Sequence, residues 1–456
     1  MNDPRLADLA RQLPGLKLAT DAGDLEHYGR DWTRRWTPAP LAIAFPTSIE
    51  EVQAIVRWAV GHKVALVPSG GRTGLSGGAV AAAGELVVSF ERMNRVLGFD
   101  PVDRTLTVEP GIALEVVHGA ACEHGLIYPV DFAARGSCQI GGNVATNAGG
   151  IRVIRYGNTR QWIAGLKVVT GTGELLDLNR GLIKNASGYD LRHLMIGSEG
   201  TLGLVVEATL ALTSPPPASQ VMLLAVPAMD ALMRVFGEAR AKLTLGAFEF
   251  FTDRALHHVL AHGGQKPFAE DSPYYVVTEF DAAEDAALAV FETCVNQGWV
   301  SDGVIAASDA QAKSLWRLRE GITESLAAHR PYKNDVSVRI GAVPAFMHEM
   351  QTLLTREYPH FDVVWFGHIG DGNLHINVLK PADMDNDAFV AQCEHVTELL
   401  CDTLQRHGGS ISAEHGIGLV KKPYLGNARS EAEIALMRGI KAVLDPAGIM
   451  NPGKLL

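Results

Sequence analysis

Hydrophobic and polar positions alternate along this chain with two periods, and the switches between them mark out its elements. Behind a capping box formed by Ser48 and Glu51, the residues Val52, Ile55, Val56, Ala59 and Val60 fall on one helical face. An apolar strand at 64–67 follows, then strands at 85–90 and 105–108 and a helix at 113–125. A hairpin is predicted from 166–170 and 174–178 around Gly171-Thr172-Gly173. The prolines Pro215, Pro216 and Pro217 cannot continue a helix or a central strand, so they read as a linker. Beyond them come strands at 221–226, 248–251 and 274–280 and helices at 229–243, 282–297 and 316–326. Strands at 363–366 and 374–379 precede a long helix that ends at His407-Gly408-Gly409. The segment 410–420 reads as extended, and Ser430 starts a final helix at 431–444. The pattern is α+β, without an internal repeat.

Glycine breaks that pattern in separate places. The loop at 68–80 carries five glycines, the tract at 129–157 mixes glycine with asparagine, and a further cluster lies at 196–210. Glycine bares backbone N–H groups, which is how a chain wraps a phosphate. No Gly-Lys-Ser/Thr follows the first loop, and it lacks the dinucleotide fingerprint. The long tract has too few charges to read as a linker; it suits close approach to a large planar or phosphorylated ligand. Several loops are expected to converge on one ligand.

The turn between the strands at 363–366 and 374–379 reads Gly367-His368-Ile369-Gly370-Asp371-Gly372-Asn373-Leu374-His375. A hairpin would bring the two imidazoles together, either as half of a divalent-metal site or as ordinary strand and turn residues. His375 and Asn377 share one strand face, opposite Leu374, Ile376 and Val378. Asp371 is expected to shape the turn. Later, Glu414 and His415 are adjacent, so one can ligate a metal while the other faces a substrate. Arg319 and Thr323 stand four apart on the helix at 316–326, and Lys333 follows the turn at Pro331. His258 and His262 also stand four apart, but no glutamate lies between them and Gly263-Gly264 follows, so they read as a solvated helix end.

At 456 residues the chain exceeds what one core usually serves. Its net charge of −11 argues against a nucleic-acid surface. No apolar run approaches the roughly 18 residues of a membrane span, and the N-terminus has no signal-peptide core. The five cysteines are scattered without a CxxC spacing, which fits a reducing, cytoplasmic setting.

Taken in order, PSGGRTGLSGG, IGGNVATNAGG, GSEGTLG, GHIGDGNLH, SAEHGIG and the terminal NPGK resemble the FAD-dependent D-2-hydroxyacid dehydrogenases, flavoproteins of the vanillyl-alcohol-oxidase type. The resemblance runs from near Tyr28 to the C-terminus. It implies an FAD-binding domain of two α+β subdomains over 1–214, a ferredoxin-like substrate-binding cap domain over 215–409, and a C-terminal helical segment, 410–456, returning to the FAD domain. The matching FAD segments are Pro68, Ser69, Gly70, Gly71, Arg72, Thr73 and Gly74; Gly136, Ser137, Gly141, Gly142, Asn143, Thr146, Asn147, Gly149 and Gly150; Glu199, Gly200 and Gly203; and Asn451. Arg72 stands where relatives often have asparagine and can pair with the pyrophosphate. No histidine or cysteine occupies the covalent attachment positions, so FAD is expected to be non-covalent.

The same resemblance implies a divalent metal, zinc first, on His368, His375 and Glu414, with His415 as the catalytic base. Arg319, Thr323, Lys333 and Asn377 match substrate contacts. Two cations answer a second carboxylate, so the implied reaction oxidises a 2-hydroxy dicarboxylate such as D-2-hydroxyglutarate to its 2-oxo acid, with D-malate as a further substrate. D-lactate dehydrogenase or a glycolate oxidase subunit is the alternative. An external electron acceptor such as electron-transfer flavoprotein is implied, and a homodimer is allowed.

Overall fold

The computed structural model describes residues 3–456, which divide into two compact units. The first comprises residues up to Gly150, then Tyr156–Pro215 and Glu414–Leu456; the second comprises Ile151–Arg155 and Pro216–Ala413.

The first unit holds two sheets. Strands β1 (Lys17–Ala19), β2 (Ala42–Phe45), β3 (Leu66–Ser69) and β4 (Leu86–Ser89) pair in the order β1-β2-β4-β3, with β2, β4 and β3 parallel. The helix Ile49–His62 crosses from β2 to β3 and fully buries Val52, Ile55, Val56 and Ala59. Trp58, at 3% exposure, completes that face; Val60 lies outside it at 37%, because the larger ring removes more apolar area from water. Ile449 and Met450 near the chain end join the same core, and Met450 bridges to Leu66. The second sheet is antiparallel: β5 (Val96–Asp100), β6 (Thr105–Val108), β7 (Ile163–Thr170), β8 (Leu175–Leu178) and β9 (Gly203–Ala211), in the order β5-β6-β9-β7-β8. Helices Leu114–Glu123 and Ile140–Thr146 pack on it through Leu114, Val117, Ile140 and Val144.

The second unit is built on one antiparallel sheet of seven strands. These are β10 (Ser219–Val226), β11 (Leu245–Thr252), β12 (Tyr274–Asp281), β13 (Asp302–Ile305), β14 (Tyr332–Ser337), β15 (Asp362–Gly367) and β16 (Asn373–Leu379), in the order β13-β10-β12-β11-β15-β16-β14. Helices Asp253–Ala261 and Asp309–Glu320 cover one face, where Leu256, Leu315 and Leu318 meet Phe251, Tyr275 and Val277. Phe236, on the helix Met229–Lys242, meets Phe248 edge-on across the other.

Two expected elements differ. The helix at 316–326 is two pieces, Asp309–Glu320 and Ile322–Ser325, with Gly321 closing the first through its N–H to Arg317 O. Arg319 and Thr323 therefore sit on successive helices. The stretch at 410–420 pairs only at Ser410 and then bends, with Gly416 and Gly418 at φ 79° and 50°, values open to glycine. Among the described residues, no helix is long and apolar enough to cross a membrane.

Candidate functional site

In the first unit the glycine-rich loops converge, and backbone rather than side chains brings them together. β3 runs into the loop at 70–74, where a Cβ on Gly71 would lie 2.0 Å from Ser137 O. Only a residue without a side chain allows that approach. Gly70 faces Gln139, and a Cβ on Gly200, itself at φ 73°, would strike Pro68 Cγ at 2.5 Å. Glu199 N donates to Ala145 O, and Asn451 Nδ2 donates to Gly78 O and Glu199 O at 2.9 and 2.7 Å. Segments far apart in sequence thus form one wall. A Cβ on Gly74 or Gly142 would meet nothing within 4 Å, so the wall keeps open positions. Gln139 Oε1 and Asn451 Oδ1 are buried there without hydrogen-bond partners. Open glycine positions beside orphaned polar atoms fit a polar, extended cofactor such as FAD.

Other expected cofactor residues have local partners. Thr146 Oγ1 donates to Gly142 O, Asn147 Oδ1 accepts from Arg160 N, and Asn143 Nδ2 lies 3.7 Å from Cys138 Sγ. A Cβ on Gly150 would meet Asp131 O at 2.1 Å, and one on Gly203 would meet Val168 Cγ1 at 2.8 Å. Ser137 is exposed, with its hydroxyl 3.4 Å from Ala134 O. The Arg72 guanidinium lies over the Tyr28 ring at 4.5 Å, with Nη1 donating to Gly70 O and Nη2 3.0 Å from His27 Nε2. The Glu199 carboxylate accepts from Ile417 N and Gly418 N, each at 2.8 Å, and burial pushes its pKa up. It thereby fastens the bend that follows Glu414 and His415.

In the second unit the chemistry is carried by side chains on a rigid sheet. β15 and β16 form the hairpin, and Asp371 closes its turn by accepting from Asn373 N. The register sets Asp335 opposite His375 and Lys333 opposite Asn377, so these four share one face. His368 lies just past β15, with its ring 5.2 Å from that of His375. Among the described residues, His368, His375 and Glu414 are the group of ligating side chains that could hold a metal ion. Two imidazoles and a carboxylate form a donor set suited to a divalent metal.

Arg319 is 6% exposed, and its guanidinium carbon stands 4.7 Å from the centre of the Phe366 ring. Its Nε, and Nδ2 of Asn377, are buried without a hydrogen-bond partner, two donors left without an acceptor from the protein. Lys333 is surface-accessible, yet the protein around its ammonium depresses its pKa by desolvation. Thr323 is exposed on its short helix. His258 lies 3.3 Å from Asp362, and His262 follows its helix with Nδ1 2.9 Å from His258 O.

Sequence reasoning missed two residues. Glu249 on β11 is 1% exposed, and its carboxylate lies 2.8 Å from both His368 Nδ1 and Arg319 Nη2. Asp335 on β14 is 1% exposed; it accepts from Asn373 Nδ2 at 2.8 Å and lies 3.7 Å from His375 Nδ1. The signal was a lone charge inside an apolar strand, Phe248-Glu249-Phe250-Phe251, which only buried partners can stabilise.

The model of FAD linked oxidases, C-terminal domain, matches residues 215–455, and that of the FAD binding domain matches 40–179. A D-2-hydroxyglutarate dehydrogenase of Xanthomonas citri pv. viticola is 72% identical, covering 100% of this chain and 97% of that protein. One from Stutzerimonas stutzeri is 56% identical, covering 100% and 99%. The solved structure of 4-ethylphenol oxidase from Gulosibacter chungangensis matches with a TM-score of 0.75 at 18% identity, covering 99% of this chain and 96% of that one, which shows a shared fold. The glycine wall, the histidine hairpin and these matches agree, and the chain belongs to the FAD-dependent D-2-hydroxyacid dehydrogenases.

Proposed function

We propose that this dehydrogenase oxidises D-2-hydroxyglutarate to 2-oxoglutarate in the cytoplasm and hands the electrons to an external acceptor such as electron-transfer flavoprotein. One observation carries the choice of substrate: a metal-competent triad lies beside a buried guanidinium whose Nε has no partner. A 2-hydroxy acid with a second carboxylate matches both features. The names of the relatives from Xanthomonas and Stutzerimonas support the same reading.

His368, His375 and Glu414 hold the metal in this reading, and the converging loops at 68–74, 136–150 and 199–203, with Asn451, hold FAD non-covalently. When bound, FAD supplies a hydride acceptor, and the divalent metal, zinc in this reading, supplies acidification of the substrate hydroxyl. The chain's own residues do the rest. His415 accepts the hydroxyl proton at an imidazole nitrogen, as a general base. Arg319 offers its fork to the distal carboxylate, Lys333 adds charge, and Asn377 and Thr323 add hydrogen bonds.

Anaerobic titration of the purified flavoprotein with D- and L-hydroxy acids, alongside metal analysis, tests the reading. D-2-hydroxyglutarate should bleach the flavin at lower concentration than D-lactate or glycolate. Bleaching by D-lactate with equal or greater efficiency would refute the dicarboxylate assignment.

A further inference from the structure

The sheet register brings β11 alongside β15, pairing Phe250 with Gly367 and Phe251 with Phe366. Glu249 therefore lies level with His368, one step beyond β15, and both belong to the face on which the helix Asp309–Glu320 packs. From that helix comes Arg319. The result is a carboxylate at 1% exposure that serves two groups at once. His368 Nδ1 lies 2.8 Å from it on one side and Arg319 Nη2 lies 2.8 Å from it on the other.

Each contact has a consequence for the partner's remaining atoms. A carboxylate at Nδ1 fixes the tautomer that carries its proton there, and leaves the Nε2 lone pair as the ligand atom. Arg319 is held between this carboxylate and the Phe366 ring, which presents its unpartnered Nε in one orientation. Burial of the ion pair by itself adds little stability, since desolvating two charges offsets their attraction. Its effect lies in orientation.

We propose that Glu249 is a positioning residue that couples metal retention to dicarboxylate selectivity, by orienting His368 and Arg319 from one buried carboxylate. This rests on the metal and distal-carboxylate roles proposed above. The coupling is symmetric: one change at Glu249 loosens the metal and blunts the preference for the second carboxylate together, although Glu249 touches neither metal nor substrate.

The test uses the full-length holoenzyme with Glu249→Gln, an isostere without the charge, and Glu249→Asp, which keeps the charge. Zinc affinity is read by chelator competition, without substrate. Selectivity is read as the ratio of kcat/KM for D-2-hydroxyglutarate to that for D-lactate, with bound FAD and thermal melting as controls. Glu249→Gln should weaken zinc binding on the order of 10–100-fold and lower the selectivity ratio about 10-fold, with FAD content unchanged. Glu249→Asp should recover part of both. Wild-type zinc affinity in Glu249→Gln, or zinc loss with an unchanged ratio, overturns the coupling. Equal losses in the two variants would mark a packing effect and overturn it as well. Failure of the underlying function is read separately, in the wild type, as absence of flavin bleaching by D-2-hydroxyglutarate.

Discussion

The two units present candidate sites built from opposite materials. In the first, the wall is mostly backbone: glycines that tolerate approaches no Cβ could, and loops fastened through main-chain carbonyls, Ala145 O by Glu199 N and Gly78 O by the Asn451 amide. In the second, the site is a set of side chains raised from an antiparallel sheet, with His375, Asn377, Lys333 and Asp335 fixed by strand register. A long cofactor makes many weak contacts, and backbone donors serve it without sequence-specific side chains. A small substrate must be held by a few charges, and those need a rigid base. The two kinds of site should therefore break in different ways.

Gly71→Ala is the harshest test of the backbone wall. Its Cβ would stand 2.0 Å from Ser137 O, so the loop at 70–74 must separate from the tract beside it. Overpacking of this kind costs about 1–3 kcal/mol or more, and here it falls on backbone that cannot rotate away. We expect colourless protein with a lowered melting temperature. Flavin absorbance and melting at wild-type levels would contradict the close-packed wall. Gly142→Ala sharpens the point, since its Cβ meets nothing within 4 Å. The melt of the apoprotein should be unchanged while FAD affinity falls.

On the side-chain site, His375→Ala or exhaustive chelation should remove turnover by about 1000-fold, a loss of several kcal/mol of transition-state stabilisation. FAD content should persist, because the glycine wall contains none of the ligands. Full turnover in a sample verified as metal-free would sink the metal role.

How much of this was readable from the chain depended on whether the contacts were local. The hairpin joining His368 to His375 is a short turn between alternating strands, and the glycine loops announce themselves by composition. Glu249 lies 119 positions before His368, and only the pairing of β11 with β15 brings them together. No period in the sequence encodes that pairing. Likewise Lys333 and Asp335 acquire meaning from the register of β14 on β16. The break at Gly321 and the bends at Gly416 and Gly418 are tertiary choices among conformations that glycine leaves open.

A milder change separates charge from shape in the same site. Arg319→Lys keeps the ion pair with Glu249 and so avoids the roughly 3–5 kcal/mol cost of a buried, unpaired carboxylate. It loses the planar fork. The kcat/KM for D-2-hydroxyglutarate should fall about 10–100-fold, in line with a charged hydrogen bond of roughly 1.5–3 kcal/mol, while that for D-lactate changes far less. Equal losses on both substrates would mean that Arg319 does not read the distal carboxylate.

The smallest effect belongs to Lys333, the cation of the set most open to solvent. Its pKa is pushed below the ordinary lysine value of 10.5 by desolvation, so its charge is lost as pH rises through the lowered value. The KM for a dicarboxylate should therefore climb on the alkaline side earlier than an ordinary lysine would allow. An exposed ion pair contributes about 0.2–1 kcal/mol, so the rise should be no more than about 5-fold. Lys333→Arg, charged throughout that range, should move the climb to higher pH and leave the D-lactate profile untouched. Should the two substrates show the same alkaline limb in wild type and variant, Lys333 has no part in binding, and Arg319 alone must account for any preference for the second carboxylate.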